Sequence, residues 1–339
     1  MLIIRKAVSG ITSKNPGFWL NERASIELSV KEARMIWILS YSGIVLCYGF
    51  LYLSVALLWF PGKHKVPNWV PGKRKVPNWA SSLLLTIFFG LLSKQLEWSA
   101  LLSIALFAGA AYYSQSKKTN ADQRWIATVL LLFLSLGLMS HQLPGFNALR
   151  VLDHVYFTTD ALPYSLYLNI DKTIIGIFIL GFGPRLISKR REIVLLVKKI
   201  WQRALIIILI VMMIAFVIGF VRFEPKLSSN IVIWTLTDLL FTCVAEEALF
   251  RGFIQKKLTL QLKKIEGGAL WALLFTSFLF GLAHYSGGKK YVLLTMVAGL
   301  GYGWIYQRTK RIEASILTHF SLNGIHFLFF TYPALASAI

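Results

Sequence analysis

Two glutamates, Glu246 and Glu247, stand side by side inside an apolar run from Ile231 to Ile254, within TDLLFTCVAEEALFRGFIQ. A run of that length reads as a membrane-crossing helix, since a hydrocarbon core of ~30 Å needs about 20 apolar residues. A carboxylate in a bilayer costs roughly 3 kcal/mol on insertion scales, so two in succession demand partners. Arg251 lies one helical turn after Glu247 and can pair with it. Glu246 is rotated by about 100° around the helix from its neighbour and needs a partner from elsewhere. The fold must bring other helices to this one.

Further apolar runs fill the chain, at roughly 35–60, 80–93, 98–115, 125–141, 173–189, 204–223, 268–286, 291–307 and 313–331. Only 15% of the 339 residues are charged, against about 25% in a soluble domain. The runs are continuous, without the alternation of a membrane β-barrel. The fold class expected is therefore all-α, a polytopic transmembrane helix bundle of about eight to ten spans. Fusing 80–115 into one helix places the N-terminus on the cytoplasmic side, and that arrangement is preferred here. Three regions are expected: a polar, basic segment 1–34, N-terminal transmembrane helices over 35–190, and a C-terminal transmembrane core over 191–339.

The net charge of +21 comes from 36 Lys and Arg against 15 Asp and Glu. The basic residues crowd into short gaps such as SKRREIVLLVKKIWQR at 188–203, which points to anionic lipid headgroups and not to nucleic acid. Segments 185–203, 255–266 and 308–312 carry seven, four and three Lys/Arg, whereas 222–230 and 287–290 carry two each. The first set is expected to be cytoplasmic. A tandem repeat, PGKHKVPNW at 61–69 and PGKRKVPNW at 71–79, reads as a duplicated loop at the headgroup surface. Cys47 and Cys243 both fall in apolar runs outside any CxxC pair. They read as small buried hydrophobes rather than disulfide, metal or nucleophilic groups.

Polar residues are few inside the later runs: Asp238, Glu246, Glu247, Arg251, His284, His319, Asn323 and His326. His319 and Asn323 are four residues apart and share a helix face. Glu246, His284 and the His319/Asn323 pair come from three separate runs, as in a polar site at the centre of a bundle. A carboxylate and an imidazole converging on one water can take its proton and direct it at a carbonyl carbon. An imidazole and a carboxamide on one face can donate to the resulting oxyanion. The same residues also suit a structural ion pair, interhelical hydrogen bonding or a proton relay. Glu246, His284 and His319 would moreover supply three ligands for Zn²⁺, although no HExxH helix is present. Asp238 is expected to face a polar cavity, and His326 falls two turns beyond His319 on the same face. The glycines of GLGYG at 299–303 read as helix-packing positions.

Three ordered motifs, Glu246-Glu247-x-x-x-Arg251-Gly252, Phe280-x-x-x-His284 and His319-x-x-x-Asn323, resemble those of the CPBP family. These are the CAAX-protease and bacteriocin-processing intramembrane endopeptidases, which include the Rce1-type prenyl-protein proteases. The resemblance covers roughly residues 200–331. It implies a central or conical polar active-site cavity, with Glu246 and His284 activating water and His319 and Asn323 forming an oxyanion hole. Glu247 and Arg251 would support them. It implies a glutamic protease without cofactor, acting on a membrane-associated peptide or protein in a bacterial cytoplasmic (inner) membrane. Two rivals stand beside it: a non-catalytic partner-binding or bacteriocin-immunity protein, and a proton-coupled transporter. One geometric requirement follows. Glu246 lies past the middle of its run and His284 near the end of the next. They meet only if the first helix continues beyond Ile254, past Gln255, Lys256 and Lys257.

Overall fold

The computed structural model describes residues 41–60, 62–65, 75–184 and 186–338. The basic segment 1–34 and the middle of the tandem repeat lie outside the described residues. The fold is mostly helical. Its first helices are α1 (Tyr41–Trp59), α2 (Asn78–Leu92), α3 (Trp98–Gln115), α4 (Ala121–Met139), α5 (Ile170–Gly181) and α6 (Arg190–Val217). A long helical run over 231–261, here α7, alternates α-helical and π-helical turns. Helices α8 (Gly268–Leu282), α9 (Gly288–Thr309) and α10 (Ile312–Phe329) complete the bundle.

Three of the described helices, α1, α4 and α6, are long and apolar enough to cross a membrane, or four where the bent pair Gly268–Leu282 and Tyr285–Thr309 (58°) is one span. That is fewer than the eight to ten expected. The reason is that α2, α5 and α8 have only 15, 12 and 15 residues, and α7 holds its charges within its length. Large apolar side chains such as Phe133, Leu136, Leu209, Met213 and Val217 stand exposed on α4 and α6, as suits lipid rather than water. The protein is an integral membrane protein.

Two expectations need correction, and two short ribbons are added to an all-α fold. The region 80–115 is two helices, not one: α2 stops at Leu92, Lys94 adopts φ 59°, and Leu96 pairs with Phe146 before α3 begins. The polar Ser93-Lys94-Gln95 supplies the turn, and Gln95 Oε1 accepts from the Tyr48 hydroxyl at 2.9 Å. The basic stretch 190–203 is not a loop but the start of α6, whose 28 residues extend ~42 Å, past a ~30 Å hydrocarbon core. Finally, two antiparallel ribbons accompany the helices. Strand β1 (Lys63–Lys65) pairs with β2 (Lys75–Pro77), and β3 (Leu149–Val155) with β4 (Tyr164–Leu168).

The connections gather at two ends of the bundle, and contacts between them fix which is which. At one end Glu97 N–H donates to Gly145 O, Phe223 pairs with Phe330, Ala161 pairs with Leu335, and Phe220 stacks on Tyr291. At the other end Ile187 N–H donates to Glu313 Oε1, Gln307 to Ala269 O, and Gln115 to Ile179 O. Helix α5, buried along nearly its whole length, packs backbone to backbone on α7 through Gly176. A Cβ there would meet Ala245 Cα at 3.1 Å. Gly176→Val should therefore push the two helices apart and cost about 1–3 kcal/mol. A thermal midpoint in detergent that does not fall would contradict this.

Candidate active site

Helix α7 does continue to Gln261, as the meeting of Glu246 and His284 requires. Counted back from Gln261, Glu246 lies ~22 Å along its helix, and His284 lies ~24 Å from the start of α8 at 1.5 Å per residue. Starting from the same end of the bundle, the two arrive at one depth. Their nearest atoms, Glu246 Oε2 and His284 Nε2, are 3.8 Å apart. Lys257, beyond Ile254, does not simply reach outward: its Nζ donates to Thr128 Oγ1 at 2.6 Å.

Behind the site lies a buried charge cluster. Arg251 Nη1 donates to Glu247 Oε1 at 3.0 Å, and both side chains are wholly buried. Arg251 Nη2 donates to Gly299 O at 3.1 Å, and the guanidinium lies 4.2 Å from the Phe280 ring centroid, a cation–π contact. The same Glu247 oxygen accepts from His319 Nδ1 at 2.9 Å. A carboxylate only accepts, so Nδ1 carries the proton and Nε2 is turned outward. Tyr302 stacks on the His319 ring at 4.6 Å and Phe280 meets it edge-on. The GLGYG glycines serve packing as expected. Gly303 O accepts from Gln255 Nε2 at 3.0 Å, and a Cβ on Gly303 would lie 2.5 Å from Leu273 Cδ1.

In front of the cluster, His284 Nδ1 donates to Phe280 O at 2.7 Å, which leaves Nε2 as the free nitrogen. Both free imidazole nitrogens face one atom. Glu246 Oε2 is 3.8 Å from His284 Nε2 and 4.0 Å from His319 Nε2. This oxygen is buried and has no hydrogen-bond partner among the described residues. Asn323 Nδ2 donates to both Asp238 oxygens at 3.0 and 3.2 Å, so its amide orientation is set by an acceptor-only partner. Cys243 is buried, with its Sγ 3.4 Å from Asp238.

Glu246, His284, His319 and Asn323 all line one cavity of about 400 Å³, and Asp238 and His326 line it with them. Glu247 and Arg251 stand behind its wall. His326 points away from the carboxylates: its Nε2 meets Thr331 O at 3.1 Å. Sequence reasoning missed Lys172. Its Nζ donates to Glu246 Oε1 at 2.7 Å, and it is the interhelical partner that Glu246 required. Lys172 lies one turn before Gly176, the residue that seats α5 against Ala245. Its sequence setting, a lysine at the head of an apolar run, is that of any interfacial lysine. His141, also without a motif, pairs with Asp171 at 2.6 Å. Among the described residues, no group of three or more His, Cys, Asp and Glu is arranged to hold a metal ion.

Residues 228–325 match the family model for type II CAAX prenyl endopeptidase Rce1-like. The match covers less than a third of the chain, and over that segment the chain resembles the Rce1-like family. No curated protein and no solved structure matches the chain. The matched segment contains Glu246, Glu247, Arg251, His284, His319 and Asn323, and the family that the model describes is one of endopeptidases. Lys172 and the whole of α5 fall outside it. Arg251→Leu should cost roughly 3–5 kcal/mol, because it strands the Glu247 charge in the core. Pairing it with Glu247→Leu should restore part of that loss. Unfolding midpoints of the single and double variants in detergent check this, and a double variant no more stable than the single would contradict it.

Proposed function

We propose that the protein is an intramembrane endopeptidase that hydrolyses a peptide bond of a membrane-associated protein or peptide with a water activated by Glu246 and His284. The reading is carried by Glu246 Oε2, a buried carboxylate oxygen with no partner among the described residues, faced by two imidazole nitrogens at 3.8 and 4.0 Å across a cavity. Those separations leave a water oxygen within ~2.8 Å of the carboxylate and of each imidazole. Glu246 Oε2 takes one water proton as the water oxygen bonds to the carbonyl carbon, and the carbonyl π pair moves onto its oxygen. In the neutral ring the Nδ1 bond to Phe280 O makes Nε2 of His284 the acceptor, and Nε2 takes the second water hydrogen in a hydrogen bond and orients the lone pair.

The oxyanion accepts from Asn323 and His319. Asn323 Nδ2 is held by Asp238, and the second N–H of the same amide is the donor this reading assigns to the oxyanion. His319 donates through Nε2 when protonated, and that proton balances the buried charges. Glu246, Glu247 and Asp238 then face Lys172, Arg251 and His319 one for one. Collapse of the intermediate breaks the C–N bond, and the proton held by Glu246 passes to the departing amine. Acid and amine leave, one water is consumed, and the residues return to their starting states. Lys172 fixes Oε1 and so turns Oε2 toward the histidines. No metal takes part in these steps. The family resemblance supports a bacterial cytoplasmic membrane as the setting.

The test is cleavage of a peptide panel by the purified protein in nanodiscs. Glu246→Gln should lower the rate by about 10²–10⁴-fold and Asn323→Ala by about 10²–10³-fold. Lys172→Met should also lower kcat, with Lys172→Arg recovering part of it, while a zinc chelator should leave the rate unchanged. Full activity in Glu246→Gln, or loss of activity with chelator, would overturn the mechanism. A partner-binding protein would instead keep its binding after that near-isosteric change.

A further inference from the structure

The basic residues are distributed unequally between the two ends of the bundle. At the end where Ile187 meets Glu313 and Gln307 meets Ala269, the described segments 186–203, 255–266 and 308–312 carry six, four and three Lys/Arg. The connection 116–120 at that end adds Lys117 and Lys118. At the end where Phe223 pairs with Phe330 and Ala161 with Leu335, the described connections are much poorer. Segment 93–97 has Lys94 alone, 140–169 has Arg150 alone, 222–230 and 287–290 have two each, and 330–338 has none. The lysine- and arginine-rich end of a membrane protein lies in the cytoplasm.

The cavity reaches toward the poor end. Beyond Glu246 and the histidines it is walled by Leu162 and Tyr164 of the β3–β4 ribbon, Phe220 of the α6–α7 connection, and Tyr332, Pro333 and Ala334 after α10. These segments are joined to one another there. Arg222 pairs with Asp160, Lys226 Nζ donates to Phe330 O, and Leu335 N–H donates to Phe220 O. Nothing from the basic connections 185–189, 262–267 or 310–311 lines it.

We infer that the active-site cavity opens on the face of the membrane opposite the cytoplasm, and that its substrate is an extracytoplasmic peptide segment, from an exported or surface-exposed chain. The substrate half of this statement rests on the peptidase reading above; the sidedness does not. The apolar wall built by Val211, Met212, Leu294 and Leu322 suits a substrate with apolar side chains next to the scissile bond. A cytosolic C-terminus would meet the closed, basic end of the bundle.

Two variants, each with one added cysteine, test the sidedness without any need for activity. Cys47 and Cys243 are buried and give little background with a bulky reagent. Ser229→Cys sits on the exposed α6–α7 connection and Lys264→Cys on the exposed α7–α8 connection. In intact cells expressing either variant, a membrane-impermeant maleimide should label Ser229→Cys at least ten times more than Lys264→Cys. Permeabilisation should bring the two level. Equal labelling before permeabilisation, or the reverse order, would overturn the inference. A parallel arm adds a quenched fluorescent peptide with apolar residues outside the same cells, with Glu246→Gln as control. The expected labelling without cleavage would keep the sidedness and count against the peptidase reading. Cleavage by wild type alone, together with the expected labelling, supports both.

Discussion

The Arg251 guanidinium is the group on which the site depends. Wholly buried, it binds Glu247 on its own helix, Gly299 O on α9 and the Phe280 face on α8. Through Glu247 it reaches His319 on α10. One cation thus ties four helices, and each tie also orients a group of the cavity. A buried charge of this kind is costly to create and still more costly to strand. The glycines at 299 and 303 let α9 come close enough for its carbonyls to serve as acceptors. Packing and charge satisfaction are here the same set of contacts.

The second dependence runs through α5. Glu246 has no partner on its own helix, and the matched segment 228–325 supplies no lysine or arginine to it. The close approach at Gly176 and Ala245 places Lys172 one turn earlier, within bonding distance of Glu246 Oε1. The region before the matched segment is therefore part of the site, not an appendage to a self-sufficient core. The ion pair has a chemical consequence as well. In the proposed reaction, once Glu246 takes a proton, Lys172 would face a neutral carboxyl in a low-dielectric wall, which favours passing that proton on to the departing amine.

What could be read from the sequence followed the range of the interactions. Glu247 and Arg251 were legible because their pairing is local, four residues on one helix. The His319/Asn323 pair was legible for the same reason, and the extension of α7 followed from depth arithmetic. Lys172 was not, because its partner is 74 positions away and nothing nearby distinguishes it from a lysine at a membrane boundary. The break between α2 and α3 was hidden by apolar runs on both sides of a three-residue polar turn. Charge alone reads the basic start of α6 as a gap between apolar runs, although lysine and arginine are good helix formers. Strands β3 and β4 are short and lie between spans, where a search for long apolar runs passes over them.

Hydrolysis inside a membrane needs a path for water as well as a base. The cavity wall is polar on one side, with Lys172, Asp238 and Asn323, and leads outward past Tyr164 and Tyr332. The opposite wall is apolar. The groups that meet in the cavity come from the middle of α7 and α10 and from just past the end of α8. The bend between α8 and α9 shapes the same cavity. A straight helix through His284 would fill the space that the cavity occupies, whereas the short 3₁₀ turn at Tyr285–Gly287 ends α8 at the depth of Glu246 and leaves the imidazole facing the carboxylate.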